Sequence, residues 1–286
     1  MTLTISVSSL AKVNLGLKIL EKRDDGNHNL HSLFIEQEFV DKLLFSSSES
    51  FSILNEGIEV PIDESNLASQ AYSLLHPEKP EDAPEYQIHL HKKIPIGAGL
   101  GGGSSNAAAT LKTLNKLWQL NYSNQKLEKL GKMLGADVPF FISGGCQLAE
   151  GIGDILTPIN AEWLRDFKFL LVIPPIYIST AWAYKNVNSL LTGTKDIPKF
   201  APLETPVKWR IFENDFEKVV ISTYPEIGTI KQNLLEAGAL WAGLSGSGST
   251  VYGIFRQSDY DSEIKNDFPA SYHTILTKPN LKPGSN

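Results

Sequence analysis

Cysteine is almost missing from this chain: Cys146 stands alone among 286 residues, so no internal disulfide can form. Nothing around it has the spacing of a zinc site, and a reducing cytosol fits. Long apolar runs are missing too. None approaches the ~20 residues that span a bilayer, and the opening MTLTISVSSLAK has neither an apolar signal core nor an Arg-rich transit pattern. A soluble, cytoplasmic protein with no membrane partner is expected. There is also no basic excess, since 26 Lys and Arg against 32 Asp and Glu leave a formal charge of −6. Without a basic face to attract nucleic acid, any bound anion must be held locally. Internal repeats and low-complexity segments are absent as well.

What is present is enough apolar residue, 42% of the chain, for a core near the size at which one becomes two. Leu3, Ile5 and Val7, then Val13, Leu15, Leu17 and Ile19, alternate with polar or small residues. That period predicts half-buried strands. SLFIEQEFV and LLFSSSESFSIL read as further strands, SNLASQAYSLL as a helix capped by Ser65, and EYQIHLHKKI as a strand leading into a glycine run. Past that run, Ala107, Leu111, Leu114 and Trp118 recur at helical spacing, and a second helix extends from about Asn124 to Leu134. FKFLLVIPP starts a second half, with helices on TAWAYKNVNSLL and EIGTIKQNLLEAGA, a proline-dotted loop from Thr192 to Val207, and a strand on STVYGIF.

The glycine run PIGAGLGGGSSNAAAT, residues 95–110, allows three readings: a flexible linker, a dinucleotide fingerprint or a phosphate cradle. A strand on one side and an amphipathic helix on the other leave a linker little freedom. Gly97, Gly99 and Gly102 satisfy G-x-G-x-x-G, but the preceding strand alternates and a second helix, not a strand, follows the first. A dinucleotide unit needs the opposite on both counts. No Lys follows the glycines, so the G-x-x-x-x-G-K-[ST] loop is excluded. What remains is a set of backbone N–H groups turned toward one point, backed by a helix N-terminus near Ser104. That is an anion site suited to a polyphosphate.

P-I-G-A-G-L-G-G-G-S-S-N-A-A-A resembles the phosphate-binding motif of the galactokinase, homoserine kinase, mevalonate kinase and phosphomevalonate kinase superfamily. The triple glycine before S-S-N-A-A is similar to the branch of that superfamily whose acceptor is 4-diphosphocytidyl-2-C-methyl-D-erythritol, in non-mevalonate isoprenoid synthesis. AKVNLGLKI, LGADVPFFISGG and GLSGSGSTVYGIF match further stretches in the same order. The resemblance implies an α+β protein of two lobes. The N-terminal, βαβ-type lobe, to about residue 160, would hold the phosphate loop and bind ATP. The C-terminal lobe, 161–286, would be a ferredoxin-like sandwich of helices on an antiparallel sheet carrying substrate. ATP and Mg²⁺ are the implied cofactors, and a monomer or weak homodimer is expected.

Lys12 and Asn14 lie two apart on an alternating strand, so a cation and an amide face one site. The resemblance places Lys12 beside a catalytic aspartate and the transferring phosphoryl group, and makes Asp137, in A-D-V-P-F, the base for the acceptor hydroxyl. By position alone Asp137 is a helix N-cap, and both roles are compatible. The loop residues Pro95, Ile96, Gly97, Ala98, Gly99, Leu100, Gly101, Gly102, Gly103, Ser104 and Ser105 would hold ATP, with Asn66 and Leu67 beside the adenine. Ser105 matches a metal-coordinating serine and equally suits a helix N-cap, so the protein ligands of Mg²⁺ stay open. Ser245 and Ser247 suit either a tight turn or a phosphate contact. For the acceptor, the family stretch R-x-D-G-Y-H corresponds to residues 23–28, with Asn27 in place of the aromatic that stacks on cytosine. His28, Phe34, Thr180 and Tyr184 carry over as substrate contacts, as does Asn14. Tyr184 is otherwise a core residue of its helix. His89 and His91 share a strand face, but the sequence offers no third metal ligand at suitable spacing, and a solvated face is the simpler reading.

Overall fold

A computed structural model describes residues 4–187, 200 and 207–282 of the chain. The alternating N-terminal pattern forms one long strand, β1 (Thr4–Lys22), which turns through residues 23–27 into β2 (His28–Ser48). They pair antiparallel, with a break at Leu15/Leu17 where Gly16 takes φ +72°. SLFIEQEFV and the start of LLFSSSESFSIL are thus a single strand. The expectation of half-buried strands fails in the middle of β1: Ser9 to Leu17 is buried on both faces. One face of this sheet meets helices, and on the other Ala11, Val13 and Leu15 pack with Phe169, Leu171, Tyr252 and Ile254 of the second half. Alternation reports one apolar face, while polar Lys12 and Asn14 are buried on the other.

β3 (Ser52–Gly57), α1 (Leu67–Leu75) and β4 (Glu85–Lys92) form a βαβ unit, the two strands lying parallel. The helix cap is Asn66 rather than Ser65, because the Asn66 carboxamide oxygen accepts the Ala68 N–H at 2.9 Å. α2 (Gly102–Leu117), α3 (Asn124–Lys132) and α4 (Val138–Ser143) follow, then β5 (Cys146–Glu150) and β6 (Ile155–Pro158). The first sheet runs β3-β4-β2-β5-β6, with β1 also paired to β2.

The second sheet comprises β7 (Phe167–Ile173), β8 (Trp241–Leu244), β9 (Val251–Arg256) and β10 (His273–Thr277) in the order β10-β7-β9-β8, all antiparallel. α5 (Thr180–Val187), α6 (Glu217–Thr223) and α7 (Pro225–Glu236) pack on one face, against Leu170 and Val172. The opposite face carries Phe169 and Leu171 onto the first sheet, which is why FLLVI reads as an unbroken apolar run. The strand order is ferredoxin-like, but the β9 to β10 crossover carries only the 3₁₀ segment Ser262–Asp267 in place of a helix. The end of the expected TAWAYKNVNSLL helix and nearly all of the Thr192 to Val207 loop lie outside the described residues. Among the described residues, no helix is long and apolar enough to cross a membrane.

Candidate active site

The glycine run leaves β4 at Lys92 and enters α2 at Gly102, two residues earlier than expected, with Gly101 as the N-cap. Gly97, Gly99 and Gly101 all have φ between +64° and +77°, a region costly for side chains with a Cβ. Gly99 is the most constrained, because a Cβ there would stand 2.1 Å from the Ser245 carbonyl oxygen. The first intrahelical bond is from Ser105 N–H to Gly101 C=O, 2.9 Å, so the N–H groups of Gly102, Gly103 and Ser104 precede it at the positive end of the helix dipole. Ala98 and Leu100 alternate inward as buried anchors.

The 243–249 stretch is both a turn between β8 and β9 and a wall of this loop. The Ser245 hydroxyl donates to Gly99 C=O at 2.8 Å and accepts the Asn14 N–H at 3.2 Å. Thr250 N–H bonds Ala98 C=O, and Lys12 N–H bonds Leu100 C=O. Three chain segments distant in sequence, β1, the glycine loop and residues 245–250, therefore converge here.

Facing the loop is a cleft of about 720 Å³. It is lined by Lys12, Asn14, Asn27, His28, Phe34, Gly99, Gly101, Ser104, Asp137, Thr180 and Tyr184, drawn from both halves. Pro95, Ile96, Gly97, Ala98, Leu100, Gly102, Gly103, Ser105, Asn66 and Leu67 are not on its wall. A Cβ at Gly103 would come within ordinary contact of Leu67, while the Asn66 amide is engaged locally by Pro61 C=O and Ala68 N–H.

Lys12 Nζ lies 2.5 Å from Asn14 Oδ1, 3.5 Å from Asp137 Oδ2 and 4.9 Å from the Phe34 ring centre. The ammonium is buried, whereas the Asp137 side chain is 31% exposed and opens into the cleft. Asp137 occupies the N-cap position of α4, yet its carboxylate caps no backbone N–H. Its oxygens are therefore free for something other than the helix. Ser105 is neither the N-cap nor turned to the cleft: its hydroxyl is buried and accepts from Ser9 at 2.7 Å. Of the two serines, Ser104 is the one that lines the cleft.

Among the residues expected to contact the acceptor, Asn27 belongs to the β1–β2 turn, its N–H donating to Asp25 Oδ1 at 3.0 Å. The rings of His28 and Tyr184 stack at 5.2 Å and 15°, and Phe216 meets Tyr184 edge-on. Tyr184 is thus both a packed residue of its helix and a cleft wall, and His28 already covers one of its faces. His28 Nε2 is buried with no hydrogen-bond partner among the described residues. Burial, with the Asp137 charge adding to it, pushes the Tyr184 hydroxyl up to about 12. Thr180 Oγ1 is 3.0 Å from Ser247 Oγ, joining this wall to the 243–249 turn.

The GHMP kinases N terminal domain family matches residues 66–145, and the GHMP kinases C terminal family matches 206–274. A 4-diphosphocytidyl-2-C-methyl-D-erythritol kinase of Chlorobium limicola is 39% identical, over 98% of each chain. One of Chlorobium luteolum is 40% identical, over 96% of this chain and 97% of its own. The chain belongs to this family of GHMP kinases. A crystal structure of 4-(cytidine 5′-diphospho)-2C-methyl-D-erythritol kinase superposes with a TM-score of 0.81 at 29% identity, covering 96% of this chain and 99% of that one. The two-lobe α+β fold is thereby shared along nearly the whole length.

In this kinase the geometry also brings forward residues that motif reading passed over. Asp41 is fully buried: Oδ1 accepts the N–H groups of Lys93 and Ile94 at 2.7 and 2.8 Å, and Oδ2 accepts Asn106 Nδ2 at 2.9 Å and pairs with Lys92. One carboxylate therefore ties the end of β4, the start of the loop and the first turns of α2. Burial pulls the Lys92 ammonium down, and Asp41 opposes that shift. The signal was in the pattern, since Lys92 falls in the inward phase of Tyr86, Ile88 and Leu90. Lys22, Lys185 and Phe216 also line the cleft, but only the fold brings them there.

Proposed function

We propose that Asp137, Lys12 and the Gly99–Ser104 turn form the phosphoryl-transfer site, and that the His28–Tyr184 side holds the acceptor's base. The enzyme is a small-molecule kinase that moves the γ-phosphoryl of ATP to the 2-hydroxyl of 4-diphosphocytidyl-2-C-methyl-D-erythritol. The observation that carries this reading is the Lys12–Asp137 pair, 3.5 Å apart, lining one cleft with the residues at the N-terminus of α2. Phosphoryl transfer through a loose transition state depends on positioning and on offsetting charge. The loop N–H groups and the dipole of α2 suit the triphosphate. Lys12, buried and fixed by Asn14, sets a positive charge beside the reacting oxygens. Asp137 orients the acceptor hydroxyl and takes its proton as the new P–O bond forms and the bond to the leaving ADP oxygen breaks.

Mg²⁺ fits the chemistry of the lining, because Ser104 and Asp137 are hard-oxygen residues beside the loop, and triphosphate oxygens and water would complete the shell. When bound, it would neutralise charge spread over the β- and γ-phosphates. Asn66 and Leu67, at the start of α1, would lie beside the adenine, and residues 1–160 serve as the ATP-binding lobe with 161–286 as the substrate lobe. The first sheet ends at Pro158 and the second begins at Phe167, which supports that division. We also infer a cytoplasmic monomer or weak homodimer, and the lone buried Cys146, whose thiol burial pushes up to about 12, fits a reducing compartment.

The test is ADP release from ATP with each acceptor in turn. Turnover is expected with the cytidyl substrate, and only background with homoserine or mevalonate. Robust turnover of a small acceptor, with none of the cytidyl compound, would falsify the reading.

A further inference from the structure

The face of the first sheet turned from its helices carries a second chemical feature at the β3–β4 edge. β4 buries Tyr86, Ile88, Leu90 and Lys92 and turns the alternate residues outward, among them His89 and His91. Sequence spacing offered these two imidazoles no third ligand. The parallel pairing of β3 with β4 supplies one, placing Glu56 directly opposite His91. Glu56 Oε2 lies 2.9 Å from His91 Nδ1 and 3.5 Å from His89 Nε2, and the two rings are 4.3 Å apart, tilted by 32°. All three donor atoms fall within 4.8 Å of one another, and among the described residues this is the cluster of three or more metal-ligating side chains.

We propose that Glu56, His89 and His91 bind a divalent transition-metal ion, with Zn²⁺ the best match. Two imidazole nitrogens and one carboxylate oxygen are a donor set for borderline ions, whereas Mg²⁺ prefers oxygen alone. The site is therefore distinct in kind from any cation carried by ATP. Tetrahedral Zn²⁺ with bonds of about 2.0–2.2 Å sets neighbouring donors about 3.3 Å apart. The two observed donor separations, 2.9 and 3.5 Å, bracket that spacing. The third closes by rotation of side chains that are all partly or largely exposed. Three protein ligands leave a fourth position for water. β3 is an edge strand whose sheet neighbour is β4, so a shared ion would pin that edge across the parallel pair.

The experiment is calorimetric titration of the metal-stripped full chain with Zn²⁺ in nucleotide-free buffer, alongside thermal unfolding at rising free Zn²⁺. One ion per chain is expected, with a melting temperature that climbs with the logarithm of free Zn²⁺. His91→Ala and Glu56→Gln should each weaken uptake by more than about tenfold, the scale seen when even an outer partner of a metal ligand is lost. Because these side chains point outward from the sheet, both variants should keep the native circular dichroism and kcat. His76→Ala, at the separate His76–Glu85 pair, should bind as the native chain does. No saturable uptake by the native chain, or uptake unchanged in both His91→Ala and Glu56→Gln, overturns the proposal.

Discussion

The two walls of the cleft are built by opposite rules. On the phosphate wall the polar groups are anchored within the protein: Lys12 to Asn14, Ser245 to Gly99 and Asn14, and Asp41 to both ends of the loop. On the wall proposed to hold the acceptor, His28 Nε2 is buried with no partner among the described residues, and one face of the Tyr184 ring is covered by the His28 ring. A wall that meets a developing charge acts best when its dipoles need not reorganise. A wall that recognises a neutral base can instead exchange an internal ring contact for a ligand contact. The phosphate wall should thus govern kcat and folding, and the acceptor wall KM.

Breaking the phosphate wall at its reacting end should produce the largest effect. Asp137→Asn and Lys12→Ala are each expected to lower kcat by roughly 10²- to 10⁴-fold, with ATP still bound, as single-turnover and nucleotide-binding measurements would report. Near-normal kcat in folded Asp137→Asn would return that residue to a helix-start role. Next comes the wall's foundation. Asp41→Ala strands a buried ammonium and frees two loop N–H groups, so denaturant unfolding should show a loss of about 3–5 kcal/mol. A variant as stable as the native protein would mean that the loop is held by its glycines and Ser245 alone.

The acceptor wall should respond differently and less. Tyr184→Ala removes the stacking face, expected to be worth ~1–3 kcal/mol, and should raise KM for the cytidyl substrate by roughly 5- to 150-fold with kcat little changed. An equal fall in kcat would show that the two walls are coupled. The smallest change is expected at Asn27, an exposed turn residue. Asn27→Tyr adds an aromatic face at the mouth and should lower KM by about tenfold or less, since stacking on a remote base is felt equally in ground and transition states. A higher KM in folded protein would mean that the amide itself reads the cytosine edge.

Much of this was legible in the chain. The glycine run, the alternation before it and the helical spacing after it determine a strand, a turn and a helix N-terminus locally, because φ freedom and hydrophobic period are properties of neighbouring residues. The shared face of Lys12 and Asn14 is equally local. Other features depend on contacts that no short stretch contains. Burial of β1 on both faces comes from stacking a second sheet on the first, and it places Lys12 where a neighbour must fix its charge. The cap of α1 passes from Ser65 to Asn66, and Ser105 turns from the cleft to Ser9, through side-chain geometry that spacing cannot resolve. Sequence by itself determined the elements and the kind of anion they can hold. Only the tertiary structure decided which distant side chains complete each site, bringing Asp137 to Lys12, Tyr184 to His28, and Glu56 to two histidines on the far side of the same sheet. Strand register and sheet packing juxtapose residues without regard to their separation along the chain.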